Sequence, residues 1–206
     1  WMKEELNNPR SMGTNKYAAA SYGTHTGEAT SKGVFVEDQI GLLDDLTLTL
    51  GVRYDDTEYG DQTTPRAYLV YQANDYLTLK GGYSEGFKAP TIRQASPGFV
   101  EESKGAGCNG YADYTGGGCY IVSNGNLKPE TSENWEVGAL FNYEGWDAGI
   151  TFFDSRFKNK LATAPIGYIT GDKSGRYWLE RVNLDSARTQ GIEGNLNIPL
   201  ISEPKG

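Results

Sequence analysis

A chain of 206 residues with 37% hydrophobic residues, 12% aromatics and 27 glycines is not composed like a helical bundle, which leans on Ala, Leu and Glu, and points to β-structure with many turns. A net charge of −8 argues against nucleic acid as a partner, because phosphate binding needs a basic face. No apolar run is long enough for a transmembrane helix, but a membrane-crossing strand buries only alternate side chains in lipid and keeps mean hydropathy low.

The chain opens at Trp1-Met2-Lys3 with no basic n-region, apolar h-region or small-residue cleavage site. Its far end, Ile198-Pro199-Leu200-Ile201-Ser202-Glu203-Pro204, reads as strand running into a turn. An internal slice of a longer, exported chain is therefore expected. Residues 16–22 carry a faint strand pattern and residues 31–40 a weak one. From residue 46 the alternation is clear: Leu46, Leu48, Leu50, Val52 and Tyr54 fall on one face, with Thr47, Thr49, Gly51, Arg53 and Asp55 on the other. About nine residues of apolar-out, polar-in pattern is the length of one membrane-crossing strand.

Next, Ala67, Leu69, Tyr71 and Ala73 oppose Arg66, Tyr68, Val70 and Gln72, and an Asn74-Asp75 turn follows. Leu77, Leu79, Gly81 and Tyr83 then oppose Thr78, Lys80 and Gly82. Residues 86–131 form a long irregular stretch. Beyond it, Trp135, Val137, Ala139, Phe141 and Tyr143 oppose Asn134, Glu136, Gly138 and Asn142. A Glu144-Gly145 turn leads to Trp146, Ala148, Ile150 and Phe152. Residues 162–176 read as a second irregular connection, and Ile192, Leu196 and Ile198 close the series against Glu193, Asn195 and Asn197.

This makes eight or nine antiparallel strands, with short turns on one rim and long loops on the other, as in an outer-membrane barrel. Tyr54, Tyr59, Tyr76, Tyr83, Trp135, Tyr143, Trp146, Tyr177 and Trp178 sit near strand ends, where an interfacial girdle is expected. Inward Arg53, Lys80, Glu136 and Glu193 would line a polar lumen or contact a plug. Cys108 and Cys119 are the only thiols. Their polar, Gly-rich surroundings suit a loop disulfide in an oxidising compartment, the other reading being two unpaired thiols.

Two motifs flank the long loop: Tyr83-Ser84-Glu85-Gly86-Phe87-Lys88-Ala89-Pro90, then Gly125-Asn126-Leu127-Lys128-Pro129-Glu130-Thr131-Ser132-Glu133. A third runs over residues 181–194, with Asn183, Ala187, Gly191 and Glu193 as its marks. Together they resemble the barrel signatures of TonB-dependent outer-membrane receptors. The loop with Ser103-Lys104-Gly105-Ala106-Gly107-Cys108 and Gly118-Cys119-Tyr120, and the run from Gly145 to Lys160, resemble the catecholate siderophore receptors, of the enterobactin and colicin I receptor type. The resemblance implies a 22-stranded barrel around a plug, in the outer membrane of a Gram-negative bacterium. Residues 1–206 would then be barrel alone, since neither plug nor TonB box is legible in them.

The implied function is uptake of ferric siderophores, energised through TonB, which would be engaged by the missing N-terminal region. The implied partners are the siderophore, the TonB complex, outer-membrane lipid or lipopolysaccharide, and colicins or phage. A ferric catecholate is a bulky trianion with aromatic edges, so cations and aromatic faces should capture it. The loop offers Lys88, Arg93, Lys104, Tyr111, Tyr114 and Tyr120, each also readable as loop decoration; the Glu101-Glu102 pair would oppose an anion. No cofactor or metal ligand set is expected, because His25 stands alone in a polar loop and iron would be held by the siderophore. No nucleophile or acid–base constellation is present, so no enzyme is expected. Two other readings compete: a self-contained small outer-membrane barrel with a structural or adhesive role, and a soluble sugar-binding sandwich, which ought to have polar outer faces.

Overall fold

The period-2 segments are strands, and they pair in chain order. The computed structural model describes residues 2–7, 26–105, 107–168 and 175–199. Eight strands form an antiparallel meander: β1 (Met2–Asn7), β2 (Thr26–Leu43), β3 (Leu46–Thr57), β4 (Gly60–Asn74), β5 (Leu77–Lys88), β8 (Glu130–Tyr143), β9 (Trp146–Tyr168) and β10 (Tyr177–Asn197). Between β5 and β8 the chain forms one helical turn, α1 (Ile92–Ala95), and a short hairpin, β6 (Val100–Ser103) with β7 (Cys119–Val122). β7 joins the sheet by pairing in parallel with the start of β10. The sheet is curtain-like and open, with β1 on one edge and the lower part of β10 on the other.

Turn chemistry sets the lower rim. The Asn74 side chain accepts the N–H groups of Tyr76 and Leu77, both at 2.9 Å, so the asparagine itself closes the β4–β5 turn. At the β8–β9 turn Glu144 and Gly145 both have positive φ, 48° and 87°. That is the primed geometry that matches strand twist and favours glycine. The third lower turn joins Leu43 to Leu46. On the upper rim the connections are long, except that β3 and β4 are joined by only two residues, Glu58 and Tyr59.

Register aligns the apolar positions into continuous rows. Val36, Val52 and Pro65 are successive partners, as are Tyr83 and Trp135, and then Gly81, Val137, Phe152 and Ile192. These side chains are exposed in the isolated sheet, Val137 and Ile192 by 65% and 70%. An aqueous surface does not carry such a face, but lipid requires it. From Trp135 to Tyr143, eight residue steps on β8, the strand rises about 27 Å. Tilted by roughly 40°, that is about 21 Å of height, close to the apolar band of an outer-membrane barrel.

The opposite face is polar and tightly registered. Tyr68 lies over Gly82, where an added Cβ would meet the Tyr68 ring, and its hydroxyl reaches Glu136. Arg66 pairs with Glu37 at 3.3 Å and Arg53 with Asp55 at 2.6 Å. Lys80 and Glu193 fall on this face as well, by register. Pairing of β4 with β5 ends at Arg66–Ser84. The next residue, Pro65, has no N–H to donate to a ladder, and above it the two strands separate.

Three expectations need correction. Residues 162–168 are strand, because β9 runs 23 residues and continues well above the apolar band. The stretch 86–131 is partly ordered into β5, α1, β6, β7 and β8. Tyr177 and Trp178 are buried under the long loop, and Tyr59 packs beside Leu6, Ile92 and Phe99, so these three are not girdle residues. The girdle that remains pairs Tyr83 with Trp135 at the upper level, ring centroids 4.6 Å apart, and Tyr76 with Tyr143 at the lower, 4.7 Å apart. The faint strand at residues 16–22 and His25 lie outside the described residues.

Candidate functional site

The buried residues of this chain lie almost wholly on the upper rim, where residues 89–129 fold back over the strand ends. Three anchors hold them. First, α1 packs Ile92 against Leu6 of β1 and Ala29 of β2, with Phe99 completing the cluster. Thr91 and Gln94 form a reciprocal capping box around this single turn. Second, β7 lies beside β10 in parallel register, Cys119 opposite Tyr177 and Ile121 opposite Leu179. Third, the return segment is clamped by β10: the Lys128 N–H donates to Asn183 Oδ1 at 2.8 Å, and Asn183 Nδ2 donates to the Lys128 carbonyl at 2.9 Å.

The middle anchor is a small hydrophobic core. Cys108 and Cys119 form a disulfide with Cα atoms 5.9 Å apart, and both are fully buried with Ile121, Tyr177 and Leu179. This settles the two readings of the cysteines. Closing an 11-residue separation restricts the unfolded chain by about 3 kcal/mol on the chain-entropy account. Tyr111, Tyr114 and Tyr168 surround the Tyr177 ring at centroid distances of 6.0, 5.7 and 5.1 Å. Their hydroxyls are spent on the fold. Tyr111 contacts Thr163 Oγ1 at 2.6 Å, Tyr114 accepts the Gly118 N–H at 2.9 Å, and Tyr168 accepts the Thr115 N–H at 3.0 Å. Tyr177 donates to Asp113 at 2.5 Å. That hydrogen bond first, and burial second, push the Tyr177 phenol up to about 12.

Of the six residues singled out in the sequence, the structure brings Tyr111 and Tyr114 together around Tyr177, while Tyr120 lies in a separate cluster on the other face of β7, tilted against Trp178 with ring centroids 4.9 Å apart. The three cations are spread apart along the rim: Lys88 ends β5, Arg93 is on α1, and Lys104 follows β6. All three are exposed, and among the described residues none forms an ion pair. The carboxylates nearby are neutralised instead. Glu101 pairs with Arg181 and Glu102 with Arg176, each at 2.9 Å. Buried Glu130 takes Lys160 at 3.3 Å and the Leu161 N–H at 3.0 Å. The acidic pair that would have opposed an anion is thus a clasp between β6 and the arginines at and just before the start of β10. Lys88, Arg93 and Lys104 thus stay exposed on this rim, together with Asp56, Glu58 and Asp61 around the β3–β4 turn.

Sequence reasoning missed Arg176, Arg181 and Asn183 as the receiving side of the loop. Their partners lie 55 to 80 residues away, and no local pattern announces such a contact.

A family model described as "TonB dependent receptor-like, beta-barrel" matches residues 3–201. The chain is 35% identical, over 97% of its own length, to the "Ferric enterobactin receptor PirA" of Pseudomonas aeruginosa, and spans 28% of that relative. It superimposes on the crystal structure of the siderophore receptor PirA from P. aeruginosa with a TM-score of 0.83 at 34% identity, covering 97% of this chain and 35% of the other. A mutant ferric enterobactin receptor of P. aeruginosa, PfeA, solved in complex with enterobactin, matches with a TM-score of 0.75 at 30% identity, covering 97% of this chain and 30% of that one. The chain therefore spans just over a quarter of the length of its curated relative.

Proposed function

Because the chain belongs to the TonB-dependent receptor β-barrel family, we propose that it forms part of the barrel wall and outer rim of a receptor that imports ferric siderophores of the catecholate, enterobactin-like type, with uptake energised through TonB. The family is one of outer-membrane receptors and transporters of Gram-negative bacteria, not of enzymes. The observation that carries the ligand class is the similarity to ferric enterobactin receptors over nearly the whole chain. The rim's charge balance supports it. Glu101, Glu102 and Glu130 are neutralised within the fold, while Lys88, Arg93 and Lys104 stay unpaired among the described residues. A trianionic complex would meet cations already freed of intramolecular partners. Tyr111 and Tyr114 serve the ligand by holding the loop, and Tyr120 supplies an aromatic face.

The same reading makes these residues part of a larger barrel. The lower half of β10 pairs only with β9, and β1 only with β2. Lipid leaves no water to satisfy such edges, so further strands must cover them. The plug and the TonB-contacting segment would belong to other parts of the same protein.

The experiment is uptake of radiolabelled iron by cells that carry the full-length receptor as their sole siderophore route. Ferric enterobactin should be transported, and the triple change Lys88→Ala, Arg93→Ala and Lys104→Ala should weaken binding by about tenfold or more. Uptake of a hydroxamate or of haem, with none of enterobactin, would overturn the catecholate assignment.

A further inference from the structure

Both Asn-Gly steps of the chain lie in the long loop, Asn109-Gly110 inside the ring closed by the disulfide and Asn124-Gly125 on the return segment. An asparagine before glycine can react with its own backbone, because no Cβ shields the glycine nitrogen from the asparagine carboxamide. Whether it does so in a folded protein depends on the freedom of that carboxamide and that nitrogen. The fold treats the two steps in opposite ways.

Asn124 is held on both sides of its carboxamide. Its Nδ2 donates to the Arg181 carbonyl at 3.0 Å, its Oδ1 accepts the Asn126 N–H at 2.9 Å, and its own N–H donates to the Gln94 carbonyl at 2.9 Å. Gly125 sits against Pro97, whose ring an added Cβ would approach to 3.1 Å. Asn109 and Gly110 are both exposed, and among the described residues neither has a hydrogen-bond partner. Gly110 has a φ of 99°, and nothing lies within 4 Å of where its Cβ would be. A tight turn precedes the pair. The Cys108 N–H donates to the Gly105 carbonyl at 2.9 Å and the Gly107 N–H to Ser103 Oγ at 3.0 Å, so exposed Lys104 stands on one side of the turn and Asn109 on the other.

We propose that Asn109 is a self-modifying site, where the exposed amide converts to a carboxylate and sets a new negative charge across the turn from Lys104. The Gly110 nitrogen attacks Asn109 Cγ. An N–Cγ bond forms, the Cγ–Nδ2 bond breaks, and ammonia leaves with the proton of the Gly110 N–H. Water then adds to either carbonyl of the cyclic imide. The N–C bond to that carbonyl breaks and a proton returns to nitrogen. The product is aspartate or, where the main chain now runs through Cγ, isoaspartate. One water is consumed and one ammonia released, with no oxidant or reductant. The same steps at Asn124 first require its hydrogen bonds to Arg181, Asn126 and Gln94 to open. On the reading of this rim as the capture surface for an anionic ferric complex, the new carboxylate offsets Lys104 and opposes the cargo.

The test follows the full-length receptor, freshly purified in mild detergent and held at mildly alkaline pH. After reduction, chymotryptic cleavage at Tyr111, Tyr114 and Tyr120 parts the two asparagines, and mass spectrometry counts aspartate and isoaspartate at each. In the folded protein Asn109 should convert at least about tenfold faster than Asn124. In urea, with the disulfide reduced, the two rates should converge, because the contacts that separate them are gone. Equal rates in the folded protein, faster conversion at Asn124, or a ratio unchanged by unfolding overturns the proposal, and aspartate without isoaspartate overturns the imide route. Asn109→Asp carries the charge from the start. It should weaken binding of ferric enterobactin by about threefold or more at low ionic strength, and the difference should shrink as salt is raised. Neutral Asn109→Ser should bind like wild type. Equal binding by Asn109→Asp and wild type overturns the functional half of the proposal. Failure of wild type itself to bind ferric enterobactin, with Asn109 still converting, counts against the transport reading alone.

Discussion

The wall and the rim are stabilised by opposite means. In the wall, Leu50, Val52, Val137, Ile150, Phe152 and Ile192 point away from the protein, and cohesion comes from backbone ladders between neighbouring strands. In the rim, Cys108, Cys119, Tyr177 and Leu179 are fully buried, and cohesion comes from a packed core, a disulfide and side-chain clamps. The difference follows from the solvent each meets. Lipid replaces the core for the wall, so its apolar residues need no protein partner. The rim stands in water and must bury its own apolar groups. One chain therefore contains an inside-out and a right-way-out structure, joined where β9 and β10 leave the membrane.

Changes that touch only one of these regions break the comparison most directly. Leu179→Ala opens a cavity beside the disulfide and should cost the rim about 2–5 kcal/mol. Protease cleavage within residues 104–120 should rise while the heat-modifiable gel mobility of the folded barrel stays unchanged. Loss of that mobility would mean that rim and wall fold as one unit. The converse change is Ile150→Arg, midway between the Trp146 and Asp154 levels on the lipid face, expected to cost about 2–4 kcal/mol. Less folded barrel should reach the membrane, and whatever assembles should keep a protected rim. Cys108→Ser with Cys119→Ser should remove about 3 kcal/mol from the rim alone. Hydrogen exchange should then quicken in β6 and β7 and stay slow in β3 and β4.

The wall was legible from alternation because only one of its faces sees lipid, and a period of two then shows in residues 46–54 or 134–143. That signal fades wherever both faces are wet. Above the membrane β9 and β10 carry Lys158, Lys160, Asp185 and Arg188 with no apolar side to reveal them, and residues 162–168 therefore read as loop. β1 has the same difficulty, since Met-Lys-Glu-Glu-Leu-Asn is short and mostly polar. The paired motifs around the long loop located the rim, but not its interior. Tyr177 and Trp178 look like girdle aromatics in sequence, and only the arrival of β7, more than 50 residues upstream, buries them. The Asp154–Arg188 and Glu133–Lys158 ion pairs were invisible for a related reason. Each partner is one residue of an ordinary polar strand, and they meet only when three strands are set in register.

The finest distinction between the two regions is titration. Tyr177 is the residue on which the rim core turns, and its phenol is raised to about 12 by the hydrogen bond to Asp113 and by burial. Its folded-state pKa lies above the unfolded value of about 10, so the folded rim holds the phenolic proton more tightly than the unfolded chain does. The stabilisation is fully present below pH 10 and is lost as pH rises toward 12. Protease protection of residues 104–120 should therefore fall across that window in the wild type. Tyr177→Phe lacks the proton and the bond to Asp113, so its protection should start lower at neutral pH and lose the part of the alkaline decline that belongs to this phenol. The wall supplies the internal reference, because its gel mobility should not depend on Tyr177 at any pH. If the two proteins decline in parallel, Tyr177 is not the titrating latch, and the alkaline sensitivity of the rim resides in other groups.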